Sequence, residues 1–353
     1  MAVTLSDIAV KVGVSVSTVS RVLNSKASDY RISPETESLI LRAAEELRYR
    51  PNQIARGLRL KKTNTMGLVT PDVSNPFFAH IIKAVQHAAH GLGYSLVVCN
   101  TDEDINLELE HVNLLFRNRV DGLIAMPVGQ RKEHFQDWLE KGRPLVLLDR
   151  SFSDLQTSSV VVDNYYGARQ AVEHLVANGH RRIAVIQGLP GTYTSVARLA
   201  GFLDTMKAHG IPVDKDLIVG GDFRRESGYV ETKLVLNRER RPTAIFAMSD
   251  LITLGVLQAL EEEGLDLPED VSLVTFDDFE FAPYLRCPVT AVRQPRELMA
   301  EIAVKLLVDQ LEGGDKDRKQ IVLKPELIVR KSVVPPRLEE NWTAAAHVSG
   351  TSG

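Results

Sequence analysis

The chain has 353 residues, of which 44% are hydrophobic and 25% charged, and a net charge of −4. That length suggests two or three domains, and the composition is ordinary for a globular protein; no apolar run approaches membrane-spanning length, so no membrane partner is expected. Cys99 and Cys287 are the only cysteines and form no CxxC pair, which argues against a disulfide framework or a zinc site and for a reducing cytoplasm.

Residues 4–24, TLSDIAVKVGVSVSTVSRVLN, read as two short helices joined by a tight turn. Thr4 and Asp7 form a capping-box pair ahead of Ile8, Ala9 and Val12. Gly13 suits the turn, where a positive φ is costly for a residue with a Cβ. Ser15 caps the second helix, whose Val19, Val22 and Leu23 share an inward face. Val16, Ser17, Ser20 and Arg21 are left pointing out, as in a helix that meets base edges. A third helix opens at Ser33-Pro34, with Leu39, Ile40, Ala43 and Leu47 as its apolar face. Pro51 ends this head. Residues 53–60, QIARGLRL, are too short to be a stable helix alone, and Lys61 to Asn64 read as a linker.

Residues 1–62 hold 11 lysines and arginines against 6 acids, a charge of +5 that leaves −9 on the remainder. A basic head on an acidic body suits a DNA-binding module attached to a body that does not adhere to DNA.

From Met66 the pattern alternates between buried strands and amphipathic helices. Strands are expected at 67–69, 96–99, 122–126, 145–148, 183–186, 244–248 and 273–276, and helices at 78–91, 106–117, 167–178, 197–209 and 251–263. Short continuous apolar strands separated by helices indicate parallel sheets covered on both faces. The length suits two doubly wound lobes with a cleft between them. Ligands on such sheets sit at the carboxyl ends of strands, here Pro71-Asp72, Asn100-Thr101, Asp149-Arg150, Gln187-Gly188, Ser249-Asp250 and Asp277-Asp278. The tail after Pro336 is polar, rich in small residues and expected to be disordered.

Eight segments in order (TLSDIAVKVGVSVSTVSRVLN, YRPNQIARGLRL, GLVTPDVSNPFF, CNTDED, RVDGLI, VVVDNYYGARQAVEHLVANGHRRIAVI, RLAGF and SLVTFDD) make the chain similar to the lactose-repressor (LacI/GalR) family from residue 3 to about 335. The resemblance implies a small all-α helix-turn-helix head at 1–48, a hinge helix and linker at 49–62, and an α/β core at 63–336. The core would resemble periplasmic binding proteins, with parallel doubly wound sheets in two lobes. Lobe one is expected at about 63–162 and 292–321, lobe two at about 163–291 and 322–336, and the tail at 337–353.

The resemblance also assigns roles. Val16, Ser17 and Arg21 fall on base-reading positions; Arg21 can pair bidentately with guanine, a contact that discriminates by about 1–3 kcal/mol. Thr4, Ser15, Ser20 and Asn24 suit backbone phosphates, with plain helix capping as the other reading of Ser20 and Asn24. The loop from Asn24 to Ile32 is a few residues longer than in the lactose repressor itself. In the hinge, Leu58 stands at the position of a minor-groove wedge, beside Ala55 and Arg56. In the core, Phe77, Phe78, Asp149, Arg198, Phe223, Ser249 and Asp277 match positions lining the effector cleft. Opposed carboxylates with an arginine suit a polyhydroxy ligand, although Ser249 replaces an asparagine common in sugar-binding members. Phe78 and Asp278 read equally well as core or loop-capping groups.

The implied function is a cytoplasmic, nucleoid-associated bacterial repressor, a homodimer on double-stranded, pseudo-palindromic operator DNA, controlled by a small-molecule effector, a sugar or sugar derivative. No cofactor, metal or catalytic residue is expected. A solute-binding protein sharing the core fold is the alternative, but it predicts an export signal and no helix-turn-helix. An enzyme is disfavoured because GxSxG, Walker, HExxH and strand-linked GxGxxG patterns are missing from the sequence.

Overall fold

A computed structural model describes residues 3–24, 27–49, 62–129, 131–314 and 317–337. The hinge residues Ala55, Arg56 and Leu58 and the tail from 338 onward lie outside the described residues. The chain divides into two units, Met1–Thr63 and Asn64–Gly353.

In the first unit, helices α1 (Leu5–Val12), α2 (Val16–Leu23) and α3 (Pro34–Glu46) enclose a small core of Ile8, Val19, Val22 and Ile40. The expected caps form. The Thr4 amide donates to Asp7 Oδ2 at 2.7 Å, and the Asp7 amide donates to Thr4 Oγ1 at 3.4 Å. Gly13 adopts φ 75° and its amide reaches Ala9 O at 2.9 Å, closing α1. Ser15 and Ser33 accept from the amides of Thr18 and Thr36, respectively. Leu39 departs from expectation: it is 52% exposed, because the inward face of α3 is carried by Ile40, Ala43 and Ala44 and Leu39 sits about 100° around the helix from Ile40.

The second unit holds two six-stranded sheets. The first sheet contains β1 (Thr65–Thr70), β2 (Ser95–Asn100), β3 (Gly122–Ala125), β4 (Leu145–Leu148), β5 (Ser158–Val162) and β11 (Gln320–Leu323). Its order is β11-β5-β4-β3-β1-β2 and every pairing is parallel. The second contains β6 (Ile183–Ile186), β7 (Ile218–Val219), β8 (Ala244–Ala247), β9 (Ser272–Phe276), β10 (Thr290–Arg293) and β12 (Glu326–Ile328). Its order, β12-β10-β9-β8-β6-β7, repeats the first, with only the β10–β12 pairing antiparallel.

Helices cover both sheets, as continuous apolar strands such as Leu145–Leu148 and Ile183–Ile186 require. The chain passes between lobes after β5, after β10 and between β11 and β12. Helix Asn164–Ala177 thus packs in the core of the second lobe, while Arg296–Leu311 returns Met299, Val304 and Leu307 to the core of the first. The expectation of a buried strand at 96–99 is corrected. β2 is an edge strand paired only with β1, and Val97 and Val98 are 40% and 39% exposed.

Candidate functional site

Two strand ends at matching places in the two sheets set the geometry of the cleft. β4 is followed by Asp149 at φ 66° and β9 by Asp277 at φ 74°, both in the left-handed region. That backbone costs on the order of 1–2 kcal/mol for a residue with a Cβ. It is held in each lobe by a bond to the neighbouring strand: the Asp149 amide donates to Val160 O at 2.9 Å, and the Asp277 amide to Val292 O at 3.0 Å.

Around these carboxylates the structure brings together Phe77 and Phe78 from helix Pro76–Gly91, Arg198 from helix Tyr193–Ala208, Phe223, and Ser249. All seven residues that the resemblance assigned to the cleft line one cavity, with contributions from both lobes. Its volume is about 20 Å³, enough for a water but far below the several hundred Å³ of a typical ligand pocket. A larger groove of about 450 Å³ runs along helix Asn164–Ala177, beside Tyr166, Arg169 and His174. It is lined by one helix face and Leu327, away from the strand ends, so the smaller cavity is the candidate site.

Arg198 is fully enclosed. Its Nε donates to Asn164 Oδ1 at 2.8 Å and its Nη1 to Met248 O at 2.5 Å, with the guanidinium 3.6 Å from the Phe276 ring centre and 3.7 Å from Asp277. Burial pushes its pKa down, against the pull of Asp277 and Asp149. Burial raises Asp149 to about 6, opposed by Arg150 and Arg198. Asp277 is also raised by burial, although Arg198 and a 2.5 Å bond from Gln294 Nε2 favour its ionised form. Behind it, burial and then the charge of Asp277 push Asp250 to about 7. Ser249 Oγ is engaged in capping, accepting from the Ile252 amide at 3.2 Å. Asp278 belongs to structure rather than the cavity. Burial opposes its charge, but Arg330 and Arg293 outweigh that and hold its carboxyl low.

Sequence reasoning assigned no role to three lining residues, Asn75, Arg150 and Thr194, although Arg150 stood among the strand-end residues it named. Arg150 is the most consequential. Glu103 grips it at 2.8 and 2.7 Å, and Pro127 O and Val128 O accept from Nη1 at 3.1 and 3.0 Å. It thereby faces Phe223 of the other lobe at 5.2 Å and Phe78 of its own at 5.9 Å. The signal was the acidic run Asp102-Glu103-Asp104 after β2, whose partner in space is the arginine beside Asp149. Thr194 Oγ1 is buried and has no hydrogen-bond partner among the described residues, which marks it as a donor or acceptor available to a ligand.

Within the head, Val16 is 43% exposed, and Ser17 and Arg21 lie on the open side of α2. Thr4 and Ser15 are engaged in caps, and Asn24 Nδ2 donates to Ser20 O at 2.5 Å. Among the described residues no group of three or more His, Cys, Asp or Glu side chains is placed to hold a metal ion, and no helix is long and apolar enough to cross a membrane.

Comparison with known proteins agrees with this geometry. Residues 4–52 match the family model described as bacterial regulatory proteins, lacI family, and residues 172–333 match a periplasmic binding protein-like domain. The HTH-type transcriptional repressor PurR of Proteus mirabilis (strain HI4320) is 34% identical over 333 residues, covering 94% of this chain and 96% of the relative. Among solved structures, the lac repressor dimer bound to operator and the anti-inducer ONPF superposes with a TM-score of 0.84 at 29% identity, covering 95% of this chain and 100% of that one. The transcriptional regulator CelR in complex with cellobiose gives a TM-score of 0.72 at 33% identity, with coverage of 94% and 100%.

Proposed function

The chain belongs to the lacI family of bacterial regulatory proteins, and from that premise we propose that it is a dimeric operator-binding repressor gated by a small polyhydroxy effector held between Asp149 and Asp277. The observation that carries this reading is the convergence, from both lobes, of Phe77, Phe78, Asp149, Arg198, Phe223, Ser249 and Asp277 on one cavity. Carboxylates that each accept two hydroxyls, a fixed guanidinium and aromatic faces are the chemistry a sugar ring needs. In the head, Val16, Ser17 and Arg21 read bases, and Thr4, Ser15, Ser20 and Asn24 serve phosphates. Ala55, Arg56 and Leu58 enter the minor groove between the two heads. The protein works in the bacterial cytoplasm and turns over no substrate.

The cavity is too small for a sugar at this degree of closure, so binding is coupled to separation of the lobes. A coupling of about 1–3 kcal/mol changes operator affinity several-fold to a hundredfold. The test is a thermal-shift screen of the full chain against ribose, cellobiose, hexoses, sugar acids and purine bases. Fluorescence anisotropy on a self-selected palindromic duplex follows, with and without the hit. A carbohydrate that raises Tm and changes duplex affinity supports the reading, and its sign distinguishes inducer from corepressor. A shift with purines alone overturns the carbohydrate assignment, and a hit that leaves DNA affinity unchanged overturns the gating.

A further inference from the structure

The guanidinium carbon of Arg21 lies 3.9 Å from the ring centre of Tyr30. Tyr30 ends the short 3₁₀ turn Ser28–Tyr30, in the loop between α2 and α3. The turn is fastened at both ends. Ala27 before it is buried in the head core and Ile32 after it packs against that core, with the Ile32 amide donating to Ala27 O at 3.0 Å. Arg31 closes it in the left-handed region at φ 53°, its amide donating to Ser28 O at 3.2 Å. Tyr30 is nonetheless 50% exposed. Neither burial nor the fold of the head accounts for an aromatic ring on this turn; its contact with Arg21 does.

We propose that Tyr30 is a specificity-determining positioning residue that holds the Arg21 guanidinium ready to read a guanine; this rests on the assignment of Arg21 to base reading. Among the described residues no carboxylate pairs with Arg21, so the ring is what restrains it. An arginine lying over an aromatic face is held by its π-cloud while the N–H donors at its edge stay available. A free arginine loses rotamer freedom when it docks on O6 and N7 of guanine, and a pre-positioned one has already lost part of it. An exposed contact of this kind changes affinity by about 2–5-fold for each head.

The test uses the full chain and the palindromic duplex that the wild type selects from a randomised library, with each guanine replaced in turn. Fluorescence anisotropy compares wild type with Tyr30→Phe, Tyr30→Leu, Tyr30→Ala, Arg21→Ala and the double variant Arg21→Ala/Tyr30→Leu, with thermal melting of each as the folding control. Tyr30→Phe keeps affinity and base preference. Tyr30→Leu and Tyr30→Ala bind about 2–5-fold more weakly per head and lose preference at one guanine, the same one at which Arg21→Ala is indifferent. In the Arg21→Ala background, Tyr30→Leu adds nothing. Should Tyr30→Leu discriminate as well as wild type while Arg21→Ala does not, Tyr30 has no such role and the reading of Arg21 stands. An equal loss from Tyr30→Leu in both backgrounds also overturns the proposal, since Tyr30 then acts independently of Arg21. Wild-type discrimination by Arg21→Ala removes both.

Discussion

The substitution Asp149→Asn should flatten the pH dependence of core stability. Burial raises the carboxyl from its ordinary 3.8 to about 6 in the folded chain. A group whose pKa is raised on folding contributes stability that is complete below its unfolded value and is lost as pH climbs through the folded value. For Asp149 the loss runs from about pH 4 to just above pH 6 and amounts to about 3 kcal/mol, of which about 2 kcal/mol falls above pH 4.5. The asparagine amide keeps the shape of the side chain without a proton to lose. For a core of this size each kcal/mol moves Tm by about 2–4 °C, so the Tm of the variant relative to wild type should rise by about 4–8 °C between pH 4.5 and pH 7.5. Differential scanning calorimetry of both proteins across that range measures it, and the difference cancels titrating groups that do not interact with Asp149. A difference that stays constant with pH, or that falls as pH rises, would refute the claim that burial dominates over Arg150 and Arg198 at Asp149.

A Cβ added at Gly188 would lie 2.1 Å from two ring carbons of Phe223. Gly188→Ala should therefore expel that ring from the cleft and weaken the effector found by thermal shift more than about tenfold, while operator binding without effector persists; unchanged effector affinity in a calorimetric titration would count against a role for Phe223. Glu103→Ala leaves the enclosed Arg150 guanidinium without its bidentate carboxylate, with only Asp149 near it at 3.9 Å, and should cost about 3 kcal/mol in urea unfolding. Thr4→Ala removes the reciprocal cap of α1 and should cost the head about 1 kcal/mol, read as a lower Tm with no change in the core transition.

The head was legible in the sequence almost to the residue, because its signals are local: a cap, a glycine turn and a proline each act within four positions. The strands Leu145–Leu148 and Ile183–Ile186 were legible for a similar reason, as short apolar runs bounded by turns. Helix Arg225–Leu236 was not among the expected helices, and the role of its Gly228 depends on a partner helix distant in sequence. In the structure its missing Cβ lets the backbone meet helix Asp250–Glu262, where a methyl group would sit 2.2 Å from Ile252 O. Gly255 answers it from the other side, 2.1 Å from Arg225 O. Strands β5, β7, β10, β11 and β12 were not among the expected strands; β7 is only two residues long, and β10, β11 and β12 are short and complete sheets begun far earlier in the chain. The cleft residues came from matching a family pattern, and Arg150 escaped because its role depends on Glu103, 47 positions away.

The three passages of the chain between lobes also fix an order of assembly during translation. β11 pairs with β5, Gln320 opposite Ser159, so the first sheet stays one strand short until residues 320–323 have left the ribosome. Helix Arg296–Leu311, which fills the core of that lobe, emerges almost as late. The head, by contrast, makes its contacts within its first 49 residues, and such local contacts form quickly. A nascent chain thus carries a finished DNA-reading head while the apparatus that restrains it is still incomplete. Chains that stop before β11 would be heads with an unfinished, aggregation-prone body.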